Sequence, residues 1–302
     1  MKKSNYSSQS LKDKVVIVTG GNSGIGLFSV LDALHDGAYV VMASRSMQKA
    51  EEAKQFLATK TSVERLTILS LDVSSLSSVQ TFVQTFLKTF QHVDILVNNA
   101  GIMFGDYHRT EDGFERQMAT NHFGHFALTA SLFPMMAKDA RIIQVSSIAH
   151  KRAEMDLNQL AYEDGKGYTP WGAYSRSKLA NLWFAFALAD RLKAYNRTIK
   201  SLVVHPGVSK TNLFFKEKGK QPLYNLLKVL MPLQSAEKGA LPTLRAMHDV
   251  DAQNGDFFGP EGLAEFGGKA VRVQASRLAQ NRLLADQFFT LSETLTKTKF
   301  IF

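Results

Sequence analysis

Lys14-Val15-Val16-Ile17-Val18-Thr19-Gly20-Gly21-Asn22-Ser23-Gly24-Ile25-Gly26 sets the fold. The β-branched run ending at Thr19 reads as a buried strand, because branched side chains pack well on a pleated surface. The glycines that follow are spaced Gly-x-x-x-Gly-x-Gly, and helix-compatible residues continue to Gly37. Strand, glycine turn and helix in that order form a dinucleotide-binding fingerprint. Gly20 permits the tight turn, Gly24 lets the backbone approach a pyrophosphate, and Gly26 lets helix and strand pack closely. Asn22, Ser23 and Ile25 complete the turn, and the helix N-terminus faces the phosphates.

Downstream, strands and helices alternate. Tyr39–Ala43 reads as a second strand, Leu66–Leu71 as a third ending at Asp72 and Val73, and Ile95–Val97 as a fourth running into Asn98-Asn99-Ala100-Gly101. Arg141–Val145 and Ile199–Val204 follow, with Asp256–Gly259 as a short last strand. Met47–Thr59, Ser75–Phe90, Phe114–Lys138, Tyr174–Tyr195, Gln234–His248 and Ala275–Leu295 read as helices. This alternation predicts one α/β domain: a Rossmann-type, doubly wound parallel sheet of about seven strands with helices on both faces. Residues 1–10 read as a polar tail and 11–302 as the domain. The glycine turn, Arg45, Asp72 and Asn98 all fall at predicted strand ends, where ligands gather in such sheets.

The residues after the second strand bear on the cofactor. Arg45 lies nineteen positions beyond Gly26, where a carboxylate would bind a ribose 2′-hydroxyl. Ser44-Arg45-Ser46 offers no acid. A guanidinium can instead accept a 2′-phosphate through two N–H bonds, which points to NADP(H) over NAD(H). An ordinary surface arginine is the alternative.

Tyr174 and Lys178 are four residues apart on a predicted helix and therefore share a face. A nearby ammonium favours a phenolate and lowers the phenol pKa, so Tyr174 could exchange a proton with a substrate oxygen. Alone, the pattern also fits a solvated pair on an amphipathic helix. Asn121 lies inside a predicted helix, either as a surface polar residue or as the mark of a bend. Ser146 or Ser147 can cap or turn the chain after its strand. His122 and His125 lack a third ligand at metal spacing, so no metal site is expected. Phe214–Pro232 mixes basic and apolar residues. It reads equally as a flap over an apolar cleft and as a surface helix.

Composition narrows the classes. There are 36 basic and 27 acidic residues, a net charge of +9, and no cysteine. Disulfides are excluded and a reducing cytoplasm suffices. No run of like charges suggests nucleic acid. The most apolar stretch, Leu179–Ala189, spans eleven residues and includes Asn181. That is short of the ~18 a membrane span needs. The N-terminus carries no apolar core of a signal peptide.

Together, Thr19–Gly26, Asp72, Asn98–Gly101, Asn121, Ser147, Tyr174-x-x-x-Lys178 and Pro206-Gly207 resemble the short-chain dehydrogenase/reductase family. The long Ser147–Tyr174 interval, His205-Pro206-Gly207-Val208 and Phe257–Gly262 resemble its retinol-dehydrogenase-like branch, which includes WW-domain oxidoreductases. The resemblance implies that Tyr174 is the acid/base, that Lys178 tunes it and holds a ribose, and that Ser147 bonds the substrate oxygen. It implies that Asn121 holds a water in a proton relay. It places Asp72 and Val73 at the adenine, Asn98 and Ala100 along the cofactor, and Pro206, Gly207, Val208 and Thr211 at the carboxamide. The expected reaction is hydride transfer between NADP(H) and a small apolar carbonyl or alcohol. A catalytically silent NADP-binding regulatory protein is the alternative. A homodimer is expected from the broad apolar faces of the Phe114–Lys138 and Tyr174–Tyr195 helices, including Leu182, Trp183, Phe184, Phe186 and Leu188.

Overall fold

The structure is a computed structural model that describes residues 6–157, 160, 162, 165–208 and 234–302. Thr211 and the 214–232 stretch lie outside the described residues. Eight strands form one sheet in the order β3-β2-β1-β4-β5-β6-β7-β8. They are β1 (Val15–Thr19), β2 (Tyr39–Ser44), β3 (Leu66–Ser70), β4 (Val93–Asn98), β5 (Met136–Val145), β6 (Lys200–Val204), β7 (Phe257–Pro260) and β8 (Ala270–Arg272). The first seven pair in parallel and β8 returns antiparallel to β7. The chain leaves β1 toward β2 and β3, then crosses back to β4. That reversal opens a crevice above the carboxyl ends of β1 and β4.

Helices cover both faces. α1 (Gly24–His35) packs on α7 (Ala236–His248) on one side. Opposite lie α3 (Leu76–Phe86), α5 (Gly124–Leu132), α6 (Pro170–Ala194) and α8 (Arg282–Thr296). α2 (Met47–Ala58) flanks β2 and β3. Serine caps start several of them: Ser46 Oγ accepts from Lys49 N, and Ser75 Oγ from Ser78 N. Each satisfies one N–H that the helix itself leaves free.

The two faces have separate cores. Val16, Val18, Leu202 and Met247 belong to one. The other is aromatic, built from Phe126, Phe133, Trp183, Phe184, Phe288 and Phe289. Leu182, Trp183, Phe184, Phe186 and Leu188, expected as a surplus for dimerisation, are at most 4% exposed. α8 and the C-terminal Phe300 cover this face within the same chain.

The predicted Phe114–Lys138 helix is not one helix. It begins as α4 (Arg116–Met118), widens into a π turn over Ala119–Phe123, continues as α5, and tightens to a 3₁₀ turn at Phe133–Met135. Pro134 has no N–H to continue the ladder. Met136, Ala137 and Lys138 already belong to β5, which starts five residues before the predicted Arg141. A register shift between Val93 and Ile95 accommodates the extension. The closing helix starts at Arg282, where Asn281 Oδ1 caps Leu284 N at 3.1 Å, and not at Ala275. β8 is three residues long, too short to show a period of two.

Candidate active site

The glycine turn lies where β1 meets α1. Gly20 and Gly24 have φ of +63° and +56°, conformations that side chains resist. A Cβ on Gly26 would stand 2.5 Å from both Gly20 O and Asn99 Nδ2. Ser23, the N-cap of α1, makes no side-chain cap bond. The first N–H groups of the helix are therefore available to an anion. A cleft of about 760 Å³ opens here. Gly20, Asn22, Ser23, Gly24 and Ile25 line it, with Arg45, Asp72, Val73 and Ala100 along its length. Asn98 sits lower, its side chain buried and its Nδ2 donating to Thr129 Oγ1 at 2.9 Å. Asn99, Ala100 and Gly101 take the cleft wall instead.

At the far end, Ser44 is buried and its Oγ donates to Ser46 O. The Arg45 side chain is 66% exposed, with Nη1 3.8 Å from Asp72 Oδ2. Asp72 Oδ1 accepts from Ser74 N and Ser74 Oγ. Lys49 and Glu52, one and two turns into α2, also line this end. Neither belongs to a motif, so nothing in the local pattern singles them out.

The proton-transfer candidates converge beside Gly101. A Cβ on Gly101 would lie 3.2 Å from Asn121 Oδ1 and 3.5 Å from Lys178 Nζ. Glycine there keeps both groups next to the cleft. Asn121 sits in the π turn, the bend that its place in a helix hinted at. Its amide clasps the loop after β4: Oδ1 accepts from Ile102 N at 2.8 Å, while Nδ2 donates to Ile102 O and Ser177 Oγ. Lys178 Nζ donates to Val145 O at 3.0 Å and lies 5.7 Å from the Tyr174 ring centre. Burial brings the Lys178 pKa down to about 8.

Tyr174 hydrogen-bonds Ser147, the N-cap of the 3₁₀ turn after β5. Ser146 Oγ donates to Lys178 O and faces into the core. The Tyr174 pKa is raised, not lowered as expected from Lys178: burial dominates, and the Ser147 hydrogen bond opposes it. Trp171 and Phe104 continue from Tyr174 as a line of rings, with centroid spacings of 6.1 and 6.0 Å.

Pro206, Gly207 and Val208 follow β6. His205 Nδ1 accepts from Gly207 N, and Val208 N donates to Phe266 O. A Cβ on Gly207 would lie 2.5 Å from Phe266 O. Glu265 stands 2.9 Å from His205 Nε2 and 2.6 Å from Lys151 Nζ, which ties the β6 end to the Ser147 turn. These two partners bring the Glu265 pKa down to about 2. No candidate metal cluster occurs among the described residues.

The pattern of the short chain dehydrogenases matches residues 14–221, more than half of the chain and the whole of the geometry just described up to the β6 end. The chain belongs to the short-chain dehydrogenase/reductase family. Within this oxidoreductase family it falls in the retinol-dehydrogenase-like branch. It is 37% identical to Retinol dehydrogenase 14 of Mus musculus over 269 residues, 82% of this chain and 77% of that protein. It is 40% identical to Short-chain dehydrogenase TIC 32 A, chloroplastic, of Brassica napus over 211 residues, 67% of this chain and 66% of that one. Among solved structures, a protein from Mycobacterium Paratuberculosis superposes with a TM-score of 0.80 at 36% identity, over 98% of this chain and 97% of that one. A blue fluorescent protein from a metagenomic library, solved in complex with NADPH, superposes with a TM-score of 0.64 at 26% identity, over 82% and 96%.

Short-chain dehydrogenase motifs account for Gly20, Tyr174 and Lys178. They include Thr19 but leave out its role: its Oγ1 accepts from Asn99 N and Ala100 N at 2.9 Å each and so locks the glycine turn to the β4 loop. They also left out Gly124, where a Cβ would fall 1.7 Å from Val73 O. Its signal was present in sequence: a glycine within a helical run that costs helix propensity and wants a packing reason.

Proposed function

We propose that this protein is an NADP(H)-dependent oxidoreductase interconverting an apolar carbonyl compound and its alcohol. The observation that carries the reading is that Asn121 and Lys178 meet beside Gly101, on the wall of the glycine-turn cleft, while Tyr174 lies next to Lys178 and Ser147. The residues present fit a dinucleotide. Gly20, Gly24 and Gly26 leave room for a backbone approach, α1 presents free N–H groups, and Arg45 and Lys49 put two cations at the far end. NADP(H) supplies or takes the hydride when bound.

The chain's own residues manage the proton. Tyr174, held protonated by burial, donates its phenolic proton to a substrate oxygen in reduction. Ser147 Oγ bonds the same oxygen as negative charge develops. The Lys178 ammonium favours the phenolate that remains, and Asn121 holds a water through which the proton is replaced. In oxidation Tyr174 acts as the base. Asp72 and Val73 flank the adenine, Asn99 and Ala100 line the cofactor, and Pro206–Val208 hold the carboxamide. The Phe104 and Trp171 rings beside Tyr174 favour an apolar substrate.

No helix among the described residues is long and apolar enough to cross a membrane. We propose a cytoplasmic location, which a chain without cysteine suits. Any homodimer must use a surface other than the covered α6 face, and sedimentation at micromolar concentration tests it. The activity is tested with a panel of aldehydes, ketones and alcohols, following NADPH absorbance. Turnover of an apolar member with NADPH, lost in Tyr174→Phe, supports the reading. An equally active Tyr174→Phe protein sinks it.

A further inference from the structure

Thr19, His125 and Asn121 form one buried line from the glycine turn to the proton-transfer group; all three are 0% exposed. The Thr19 hydroxyl can accept two hydrogen bonds and donate one. Asn99 N and Ala100 N take the acceptor positions. His125 Nε2 lies 2.9 Å from the oxygen and Val97 O lies 3.3 Å away, so the shorter contact is to the imidazole. On the other side of the ring, Nδ1 is 3.2 Å from Asn121 O. A carbonyl only accepts, so Nδ1 must carry the hydrogen and Nε2 must be the acceptor. Counting donors alone therefore selects one neutral tautomer. Burial agrees, holding the His125 pKa down at about 4.

The local backbone explains why such a bond is useful. In the π turn Gly124 N reaches back five residues to Ala119 O. His125 returns its side chain one turn to the Asn121 carbonyl. Gly124 seats this segment against Val73 O with no space for a Cβ, so the turn cannot slide along the sheet. The two ends of the line are then fixed: Thr19 holds the glycine turn and the β4 loop, and Asn121 faces Gly101 and Lys178.

We propose that His125 is a positioning residue that tethers the Asn121 turn to Thr19, so that one buried hydrogen-bond line sets both the cofactor turn and the amide opposite Lys178. The inference rests on the proposed roles of Asn121 and Lys178. A histidine that merely fills the core would have no such link to both ends.

The experiment is a double-mutant cycle on the full chain with Thr19→Val and His125→Leu, repeated with His125→Gln. Binding is read by fluorescence of NADPH or NADH, whichever the parent holds more tightly. Turnover is read as separate kcat and KM for that cofactor. Each single variant is expected to weaken cofactor binding by about 2–12-fold per buried hydrogen bond lost, Thr19→Val more than His125→Leu because it also frees Asn99 N and Ala100 N. The double variant should be no weaker than the worse single, because both changes cut the same line. A core-filling histidine lowers only the folded fraction; turnover scales down while the dissociation constant and KM stay at parental values. That outcome overturns the proposal, as do effects that multiply in the double variant. If His125→Leu does not fold, the His125→Gln cycle decides by the same criteria. Cofactor binding needs no turnover, so the tether is judged independently of Tyr174→Phe, on which the proposed reaction stands.

Discussion

Lys178 Nζ donates to Val145 O and shares that carbonyl with Asn181 Nδ2, at 3.0 and 3.1 Å. The ammonium is thus anchored to the end of β5 independently of Tyr174. Its charge costs the fold, because burial lowers its pKa from 10.5 to about 8. For a buried lysine the unfolded chain binds the extra proton, so this group's contribution to stability rises with pH between about 8 and 10.5. Below that window the cost is constant, on the order of 3 kcal/mol. Lys178→Met should therefore raise Tm at neutral pH while removing activity. Asn181 keeps the Val145 carbonyl satisfied in the variant. Thermal melts at pH 7 and pH 10.5 check this, and a lower Tm at pH 7 would show that the lysine is a net stabiliser.

Tyr174→Phe keeps the ring and its contact with Trp171 but removes the transferable proton. Loss of a general acid typically costs ~10²–10⁴-fold in rate. Ser147→Ala removes the bond that opposes the burial shift at Tyr174 and should also lose rate. Loss of an oxyanion donor typically costs ~10²–10³-fold. Cofactor affinity should stay within about twofold for both, since each change removes less than one net hydrogen bond to it. Parental turnover in folded Tyr174→Phe would reassign the proton donor, and in folded Ser147→Ala the group that bonds the substrate oxygen.

The N-terminal strap is expected to be pH-sensitive. Gln9 N donates to His248 O, and Ser8 bridges to Asp249. His248 Nδ1 faces Gln9 O at 2.9 Å and Nε2 faces Asp32 Oδ2 at 2.6 Å. Both partners accept, so both ring nitrogens must donate, which requires the imidazolium. Burial works against this charge, but Asp32, Gln9 O and Asp36 together raise the pKa above 6.5. A raised histidine pKa gives stability that is fully present below about 6.5 and lost as pH climbs through the folded value. Tm of the parent should fall from pH 6 to 9 relative to His248→Gln. Parallel curves for the two proteins would reject the imidazolium.

The parts of this site legible in sequence were those where chemistry demands a residue type. Gly20 and Gly26 must lack a Cβ, and Tyr174 and Lys178 must share a helix face. The parallel sheet was legible because buried β-branched runs alternate with helical ones. Missed were features defined by a partner far along the chain. Thr19 and His125 are 106 positions apart, and neither declares its role locally. The π turn at Asn121 and the early start of β5 depend on packing against Val73 and Val93, and helical periodicity cannot report either. The raised pKa of Tyr174 went the other way for a related reason. Spacing gave the lysine, whereas burial, the larger effect, belongs to the assembled core.

The last expectation concerns the cofactor's 2′ end. An NAD site wants a carboxylate after β2, and Ser44-Arg45-Ser46 has none. Arg45 supplies attraction for a 2′-phosphate, and Lys49 in the first turn of α2 adds a second cation on the cleft wall. Two acids moderate them: Asp72 stands 3.8 Å from Arg45, and Glu52 lines the same end. A charge-assisted hydrogen bond is worth ~1.5–3 kcal/mol, or roughly 10–150-fold. With the Arg45 side chain 66% exposed, solvent and salt weaken the interaction, so the lower end applies. Arg45→Ala should weaken NADPH about tenfold and NADH hardly at all. Lys49→Ala should act in the same direction, more weakly, because an ammonium lacks the bidentate fork. Both preferences should shrink as ionic strength rises from 50 to 500 mM, since the Debye length contracts over that range. Dissociation constants for NADPH and NADH, measured at both salt concentrations for the parent and each variant, decide the matter. Equal weakening of the two cofactors by Arg45→Ala would mean that the guanidinium supports the adenosine as a whole and does not read the 2′-phosphate.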